Sequence, residues 1–343
     1  MSFSVGIVGL PNVGKSTLFK ALTKKKIDIG PYPFTTVHPN YGVVLVPDSR
    51  LEKIAEIVKP EKVTPTVIEF VDIAGLVKDA HKGEGLGNQF LAQIRNCDAI
   101  VEVVRLFENE NIEHVEKTLD PKRDIEIIKT EFLMKDLETL EKAILKLEKK
   151  KERETQKKLE LLKKIREEVA RGKEVSQIPL SLKEKAQIKE FQFLTEKPNI
   201  FVLNVGSKNV ELKNGPSPSL TLNLKLEEEI SELSNHDMQE MGLQSSLPKL
   251  ILSCYKILDL ITFYTIAGGK EARAWTIKRG SRAPEAGGVL HSDFKEKFIK
   301  AEVINWENLV KIGSWKKARE KGELKIVGRD YIVQDGDVIE FKI

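Results

Sequence analysis

The stretch Gly9-Leu-Pro-Asn-Val-Gly14-Lys15-Ser16-Thr17 decides the fold of this 343-residue chain. It follows the short apolar run Val5-Gly-Ile-Val and leads into a helical pattern from about Lys15 to Thr23. The spacing Gly-x-x-x-x-Gly-Lys-Ser therefore lies between a strand and a helix, the context that gives this pattern its meaning. Glycines let the loop bend until several N–H groups point at one anion, and the helix N-terminus adds the positive end of its dipole. The sequence predicts a loop that binds the phosphates of a nucleotide, and the alternative, a plain glycine turn, does not explain the context.

Two side chains of this loop have expected roles toward a triphosphate. Lys15 should reach the β- and γ-phosphates, and the Ser16 hydroxyl should ligate Mg²⁺. The nucleotide contacts should come from the loop as a whole, namely Gly9, Asn12, Val13, Gly14, Lys15, Ser16 and Thr17.

A second motif, Asp72-Ile-Ala-Gly75-Leu76, follows an apolar strand predicted at Val67–Val71. A carboxylate at this point can hold a Mg²⁺-bound water, and the N–H of Gly75 can meet the γ-phosphate. Alone, Asp-x-x-Gly is a weak signal, because both residue types are common at strand ends. Its distance behind the phosphate loop makes it informative, and we assign hydrolysis to Lys15, Asp72 and Gly75.

A third motif, Pro33-Phe-Thr-Thr-Val-His-Pro, lies between the first two. Its threonines offer a hydroxyl to the metal, and we favour Thr36 over Thr35 as a Mg²⁺ ligand. If the loop is only structural, both threonines would cap turns instead.

The composition is that of a globular protein with more than one domain. A length of 343 residues predicts two or three domains. The net charge of +4 permits contact with nucleic acid without requiring it, because the distribution of charge decides binding. Cys97 and Cys254 show neither metal-ligand spacing nor a disulfide framework, which favours a reducing compartment. No apolar run approaches the ~18 residues that span a bilayer, the N-terminus lacks a signal-peptide pattern, and we expect a cytoplasmic protein.

Apolar strands alternate with helical stretches on both sides of a charged middle section. The strands are rich in Val and Ile with little alternation, as expected when both faces are covered. The pattern predicts a doubly wound α/β domain. Its predicted strands are Val5–Val8, Gly42–Val46, Val67–Val71, Ala99–Leu106, Asn199–Val205 and Ser219–Leu224, with helices at Arg50–Val58 and Asn88–Arg95.

The charged middle section, from Arg123 to Gly172, predicts an antiparallel helical hairpin. Two heptad seams recur in it, with the tip between them at Lys149-Lys-Lys-Glu-Arg-Glu-Thr-Gln-Lys-Lys and Gly172 placed as a C-cap. We interpret the tip charges as a solvated helix face more readily than as an RNA contact. The seam residues are Leu133, Leu137, Leu140, Ile144 and Leu147, then Leu162, Ile165 and Val169.

The tail from Ile261 onward has strand-like pieces and is predicted to be a separate unit. Basic residues surround an aromatic side chain near its start and could contact an RNA backbone. The alternative is an exposed strand face with ordinary solubilising charge, and from the residues alone we favour it. The predicted strands are Ala272–Ile277, Phe298–Val303, Tyr331–Val333 and Val338–Lys342, and the basic cluster is Lys270, Arg273, Trp275, Lys278, Arg279 and Arg282.

Taken together, these motifs closely resemble the Obg-like ATPase (YchF) family of P-loop proteins. The resemblance covers nearly the whole chain and implies a P-loop domain interrupted by a helical hairpin and followed by a ubiquitin-like TGS domain. The implied boundaries are 1–122 with 197–260 for the P-loop domain, 123–196 for the hairpin and 261–343 for the TGS domain. Besides the three motifs above, it rests on Gly85-Leu-Gly-Asn-Gln-Phe-Leu, Asp120-Pro-Lys-Arg-Asp-Ile-Glu-Ile-Ile, Ala272-Arg-Ala-Trp-Thr-Ile-Lys and Asp330-Tyr-Ile-Val-Gln-Asp-Gly-Asp-Val.

The resemblance also implies how hydrolysis proceeds. Many relatives of small GTPases place a water-orienting glutamine where this chain has Leu76, so catalysis should rest on positioning and charge stabilisation. We expect slow intrinsic turnover, raised by a partner or a monovalent cation. Asn12 occupies the position that helps hold K⁺ in related proteins, which makes K⁺ a second and less favoured cofactor. His81 is a candidate to orient water, although we favour a surface histidine without a catalytic role.

Base recognition is where the chain departs from the family pattern. The family shows Asn-Val-x-Glu where this chain has Asn204-Val205-Gly206-Ser207, and the missing carboxylate removes the acceptor that would enforce guanine. Asn204 and Val205 remain candidates for base contact, and Asn223-Leu224 stands at the next motif of the fold. We favour ATP over GTP without excluding either.

These features favour a Mg²⁺-dependent enzyme that hydrolyses ATP or GTP and acts as a monomeric switch on the ribosome or on RNA, through the hairpin and the TGS domain. The alternative is a nucleotide-binding scaffold with little turnover. A metabolic kinase is disfavoured, because the loop around Thr36 and the Asp72 motif are switch features and no acceptor-binding lid is visible.

Overall fold

The structure is a computed structural model that describes residues 3–24, 40–73, 86–109, 111–149, 152–206, 212, 215–267 and 270–343. The chain divides into two compact units. The first unit contains residues 3–42 and 69–247, and the second contains residues 43–68 and 248–343. Among the described helices, none is both long enough and apolar enough to cross a membrane.

The secondary structure alternates between strands and helices through most of the chain. The strands are β1 (Ser4–Val8), β2 (Tyr41–Leu45), β3 (Lys62–Thr64), β4 (Val67–Asp72), β5 (Ala99–Arg105), β6 (Asn199–Asn204), β7 (Ser219–Leu222), β8 (Leu260–Ala267), β9 (Glu271–Lys278), β10 (Lys300–Asn305), β11 (Lys325–Val327) and β12 (Asp337–Lys342). The helices are α1 (Lys15–Thr23), α2 (Ser49–Val58), α3 (Leu86–Asn96), α4 (Pro121–Glu148), α5 (Arg153–Ala170), α6 (Leu182–Ile188), α7 (Leu224–Ile230), α8 (Asn235–Glu240), α9 (Leu247–Ile257), α10 (Ala283–Leu290), α11 (Ser292–Glu296), α12 (Trp306–Ile312) and α13 (Trp315–Glu320).

One six-stranded sheet has the order β2-β4-β1-β5-β6-β7. β1 pairs in parallel with β4 and with β5, and β5, β6 and β7 continue in parallel. Every residue of β5 is buried, as expected for a central parallel strand. Because parallel strands end at the same edge, the loops after β1, β4, β5 and β6 meet there, where open α/β sheets bind ligands. The predicted doubly wound α/β class is confirmed.

The helical hairpin is formed by α4 and α5, which pack against each other. Its core contains Leu140, Ile144, Leu162 and Ile165, so both predicted seams face inward. Asp136 of α4 is fully buried, and its carboxylate accepts hydrogen bonds from the N–H groups at 194 and 195 and from the hydroxyl at 195, at 2.7–2.9 Å. The hairpin is thus fastened to the turn that precedes β6.

The second unit contains a mixed sheet with the order β11-β10-β12-β8-β9-β3. β8 pairs antiparallel with β9, whereas β3 lies parallel to β9 at the edge. The predicted strand Tyr331–Val333 is wrong: this segment makes one isolated bridge, between Ile332 and Arg282. The division into three domains stays a prediction, since the two compact units place residues 43–68 with the C-terminal part of the chain.

Candidate functional site

The loop that joins β1 to α1 depends on two glycines. Gly9 has a φ of 155° and Gly14 a φ of 105°, values that side chains disfavour. A Cβ at Gly9 would lie 2.6 Å from the carbonyl oxygen of Val103, and one at Gly14 would lie 2.6 Å from Asn204 Nδ2. The motif therefore bends as its sequence predicts, with backbone packed against the ends of β5 and β6.

Lys15, the first residue of α1, is buried within this loop. Its Nζ donates a hydrogen bond to the carbonyl oxygen of Leu10 at 2.8 Å. Burial lowers the pKa of Lys15 to about 8, and the nearby charge of Asp72 offsets part of that effect. The lysine is thus held in the loop as a cation whose charge is easily lost in basic solution.

Ser16 and Asp72 place two oxygen ligands side by side. The Ser16 hydroxyl donates to Asp72 Oδ2 at 3.1 Å, which joins the first turn of α1 to the end of β4. Burial raises the pKa of Asp72, although the bond from Ser16 and the charge of Lys15 counteract it. Mg²⁺ prefers oxygen ligands and is bound by one or two protein groups plus phosphates, so this pair fits a Mg²⁺ site.

Several predicted site residues lie outside the described residues. They are Thr35, Thr36, Gly75, Leu76, His81 and Ser207.

A cavity of about 860 Å³ opens beside the loop. It is lined by the loop and the start of α1, by residues 107–109 and Ile112 after β5, by residues 204–206 at the end of β6, and by the start of α7. Ligand pockets of roughly 300–1,000 Å³ hold molecules the size of a nucleotide. The structure therefore brings Asn12, Lys15, Ser16, Asn204 and Val205 to one cavity.

Asn204 links the phosphate loop to α7. Its side chain is buried, Nδ2 donates to the carbonyl oxygen of Val13 at 2.9 Å, and Oδ1 accepts from the N–H of Leu224 at 3.2 Å. Asn223 similarly caps α7 through Leu226 N–H and donates to the carbonyl oxygen of Gly206. Both amide groups are thus engaged within the protein, and base contact by Asn204 and Val205 stays a prediction.

The segment that follows β5 also belongs to the site, and the sequence analysis did not predict this. Asn12 of the phosphate loop donates through Nδ2 to the carbonyl oxygen of Glu113 at 3.1 Å. The neighbouring His114 is buried, and its Nδ1 accepts from Glu116 N–H while Nε2 lies 2.8 Å from Asp124 Oδ2. Because Nδ1 accepts, Nε2 is the nitrogen that carries hydrogen and donates to Asp124. The position of the segment at the carboxyl end of a central strand was the available signal.

The basic cluster of the second unit is partly paired within the protein. Arg279 contacts Asp259 at 3.0 Å and Arg282 contacts Asp330 at 3.1 Å. The guanidinium of Arg273 lies over the Trp275 ring, 4.0 Å from its centroid. Part of the positive charge of this cluster, which was a candidate for contact with a nucleic acid, is therefore paired with acidic side chains of the protein itself.

Comparison with known proteins places the chain in a family. A YchF GTPase C-terminal family model, described as a protein of unknown function, matches residues 260–343, and a model described as a 50S ribosome-binding GTPase matches residues 4–164. The chain is 44% identical to the ribosome-binding ATPase YchF of Bacillus subtilis (strain 168), over 100% of this chain and 99% of the relative. It is 45% identical to the protein of the same name from Escherichia coli O157:H7, over 99% of both chains.

A solved structure gives the same answer for the fold. The Schizosaccharomyces pombe YchF GTPase matches with a TM-score of 0.87 and 33% identity, and the match covers 99% of this chain and 98% of the other. The fold class and the resemblance inferred from the motifs are both confirmed. The chain belongs to the YchF family of P-loop nucleoside triphosphatases.

Proposed function

We propose that this protein is a Mg²⁺-dependent purine nucleoside triphosphatase that favours ATP over GTP and acts as a switch on the ribosome or on RNA. The observation that carries the proposal is that the buried Lys15 and its neighbour Ser16 line one cavity of about 860 Å³, while the Ser16 hydroxyl donates to the carboxylate of Asp72 at 3.1 Å. The relatives named above are called ribosome-binding ATPases, which supports both the nucleotide and the partner.

Different residues of the chain bind the phosphates and the metal ion in the proposed reaction. Amides of the loop that begins at Gly9 cradle the phosphates, and Lys15 exchanges its bond to Leu10 for phosphate oxygens. Ser16 Oγ and Asp72 would hold Mg²⁺, Ser16 directly and Asp72 through a bound water, with Thr36 as a further proposed ligand. When bound, Mg²⁺ neutralises charge that develops on the phosphates. Gly75 N–H completes the proposed set of donors.

The preference for ATP rests on what this chain lacks. The stretch from Asn204 to Ser207 has no carboxylate to accept from guanine, and the Asn204 amide is engaged with Val13 and Leu224. GTP is therefore not specifically selected, and the name of the relatives, ribosome-binding ATPase, supports ATP as the favoured nucleotide. Equilibrium competition of the two nucleotides for the wild-type protein tests this directly, and tighter binding of GTP would overturn the preference.

K⁺ is proposed as a second cofactor. Asn12 has its Nδ2 committed to Glu113, and its amide oxygen is the group that we propose as a ligand. Turnover in KCl should exceed turnover in NaCl at equal ionic strength. Equal rates in the two salts would remove K⁺ from the proposal.

We propose the ribosome or its RNA as partner, contacted through the hairpin and the C-terminal domain by a monomer, which would place the protein in the cytoplasm. The test measures Mg²⁺-dependent phosphate release and cosedimentation with ribosomes, for wild type and Lys15→Ala. Loss of turnover and of nucleotide-dependent cosedimentation in the variant would support the switch. Ribosome binding that is the same with and without nucleotide would favour a scaffold.

A further inference from the structure

Arg105, the last residue of β5, folds its side chain back over the segment that follows it. The residue is only 4% exposed. Its Nε donates to the carbonyl oxygen of Phe107 at 3.0 Å, and its Nη2 donates to those of Ile112 at 3.0 Å and Asn109 at 3.4 Å. The centre of the guanidinium lies 4.4 Å from the centroid of the Phe107 ring. One side chain therefore holds three carbonyl groups and one ring face of the same segment.

This segment is a wall of the cavity. Phe107, Asn109 and Ile112 line the cavity, and the described residues from 106 to 109 form neither helix nor strand. Without a regular ladder of backbone bonds, the shape of the wall depends on the bonds that its carbonyl groups accept. Arg105 supplies these from β5, a strand buried along its whole length.

We propose that Arg105 is a positioning residue for the nucleoside part of the nucleotide. It holds Phe107 and Ile112 in place around the part of the cavity that the phosphate loop does not line, so that the loop binds phosphates and the wall binds base and sugar. This inference rests on the proposed nucleotide-binding function. Arg105 should therefore contribute to the affinity for a nucleotide. It should not contribute to the affinity for a chain of phosphates that carries no nucleoside.

An arginine suits this role better than a lysine. Its planar fork can donate in several fixed directions at once and can stack on a ring, whereas an ammonium is a compact charge on a flexible stem. Arg105→Lys should therefore keep the charge but lose most of the fixed geometry. We expect its nucleotide affinity to fall between those of wild type and Arg105→Ala.

The test compares two probes, Mg-ATP and inorganic tripolyphosphate with Mg²⁺, by calorimetric titration of wild type, Arg105→Ala and Arg105→Lys. Arg105→Ala should weaken ATP binding by about tenfold or more, the effect of losing a hydrogen bond or two to fixed groups, and leave tripolyphosphate affinity within about twofold. Phe107→Ala should give the same selective loss. The double variant Arg105→Ala/Phe107→Ala should then bind ATP about as well as either single variant, because both changes remove the same wall.

Arg329→Ala provides a matched control. Arg329 donates to the carbonyl oxygen of Phe298 at 2.8 Å and lies over that ring at 5.9 Å, so it has the same type of contacts in the second unit. Its replacement should leave both affinities unchanged.

The possible outcomes distinguish failure of the proposed role of Arg105 from failure of the proposed nucleotide-binding function. Equal loss of ATP and tripolyphosphate binding in Arg105→Ala, or no loss of either, would overturn the role of Arg105 while leaving nucleotide binding by wild type intact. If wild type itself binds neither probe, the proposed function falls and this inference with it. If Arg105→Ala does not fold, Arg105→Lys and Phe107→Ala decide by the same criterion.

Discussion

Ser16 Oγ donates to Asp72 Oδ2 at 3.1 Å, so the first turn of α1 and the end of β4 present a hydroxyl and a carboxylate to the same point. The two residues are far apart in sequence and are brought together because β1 and β4 are parallel neighbours. The charge of Lys15 also acts on Asp72 and lowers its pKa, against the larger effect of burial. The pair is the part of the site most directly suited to a divalent cation.

Asp72→Asn should therefore impair metal binding more than nucleotide binding. The amide keeps the shape and an acceptor for Ser16 but removes the negative charge, so we expect affinity for Mg-ATP to fall by about tenfold, the scale of a charge-assisted bond. Affinity for ATP in EDTA should stay within about twofold. Asp98→Asn is the control, because Asp98 accepts from Ser4 N–H at 2.9 Å in a comparable Ser–Asp pair that does not line the cavity. Equal losses with and without Mg²⁺ would count against the metal role.

The burial of Lys15 predicts a pH dependence of nucleotide affinity. The free protein has a Lys15 pKa of about 8, lowered by burial, and only the ammonium form attracts a triphosphate. Bound phosphate raises that pKa, so binding takes up a proton above pH 8. Affinity should be constant between about pH 7, where the phosphates are ionised, and about pH 7.5, and should then fall by up to about tenfold per pH unit. Phosphate ionisation, with a pKa of about 6, is complete over this range.

Calorimetry in buffers of different ionisation enthalpy should detect this proton uptake at pH 8.5. Lys15→Ala should bind more weakly, with affinity that no longer changes above pH 7.5. A slope of the same size and midpoint in the variant would assign the titration to another group.

The fold and the phosphate end of the site could be predicted from the sequence because they depend on local patterns. Glycine spacing at Gly9 and Gly14 sets a backbone bend, and heptad seams predict which faces of α4 and α5 pack together. The edge strand β3 was missed, because three residues carry no periodicity and its pairing with β9 joins distant parts of the chain. The contacts of Arg105 and Asn204 were missed for a related reason: their hydrogen-bond partners are backbone carbonyl and N–H groups, which leave no trace in the sequence.

Asn204 should stabilise both the fold and the phosphate loop. Asn204→Ala leaves the carbonyl oxygen of Val13 and the N–H of Leu224 without their partners, and an unsatisfied buried group costs about 1–3 kcal/mol. We expect a loss of that size in the free energy of unfolding by urea, and weaker binding of tripolyphosphate because the loop is less fixed.

The control for this change is Asn305→Ala, which removes an asparagine that caps α12 through the N–H of Glu307 at 2.9 Å. Loss of this cap should cost about 1 kcal/mol and leave phosphate affinity unchanged. If Asn204→Ala loses stability but binds tripolyphosphate as wild type does, the link between Asn204 and the loop is only structural.

Glu102, in the middle of β5, provides a prediction about stability. It is buried, and burial raises its pKa to about 8, with further raising by Glu174 and Glu126 and an opposing bond from Asn199. Asn199 Nδ2 donates to Glu102 Oε2 at 3.2 Å, whereas Glu102 Oε1 and Asn199 Oδ1 are buried without partners. Two acceptors cannot bond to each other, but a proton on Oε1 would let the acid donate to Asn199 and satisfy both.

Glu102→Gln should therefore stabilise the protein in neutral and basic solution, because its amide supplies the missing donor permanently. The pKa of the Glu102 carboxyl is higher in the folded protein than in the unfolded chain, so wild type takes up a proton on folding between about pH 4.5 and pH 8. The stability of wild type therefore falls as pH rises through that window. The advantage of the variant should grow over the same window, level off above pH 8, and reach at least about 1–3 kcal/mol there. Glu69→Gln, the same substitution at a half-buried position on β4, is the control. Urea unfolding from pH 5 to pH 9 measures both, and a Gln variant that is less stable than wild type throughout would show that Glu102 is not held as a neutral acid.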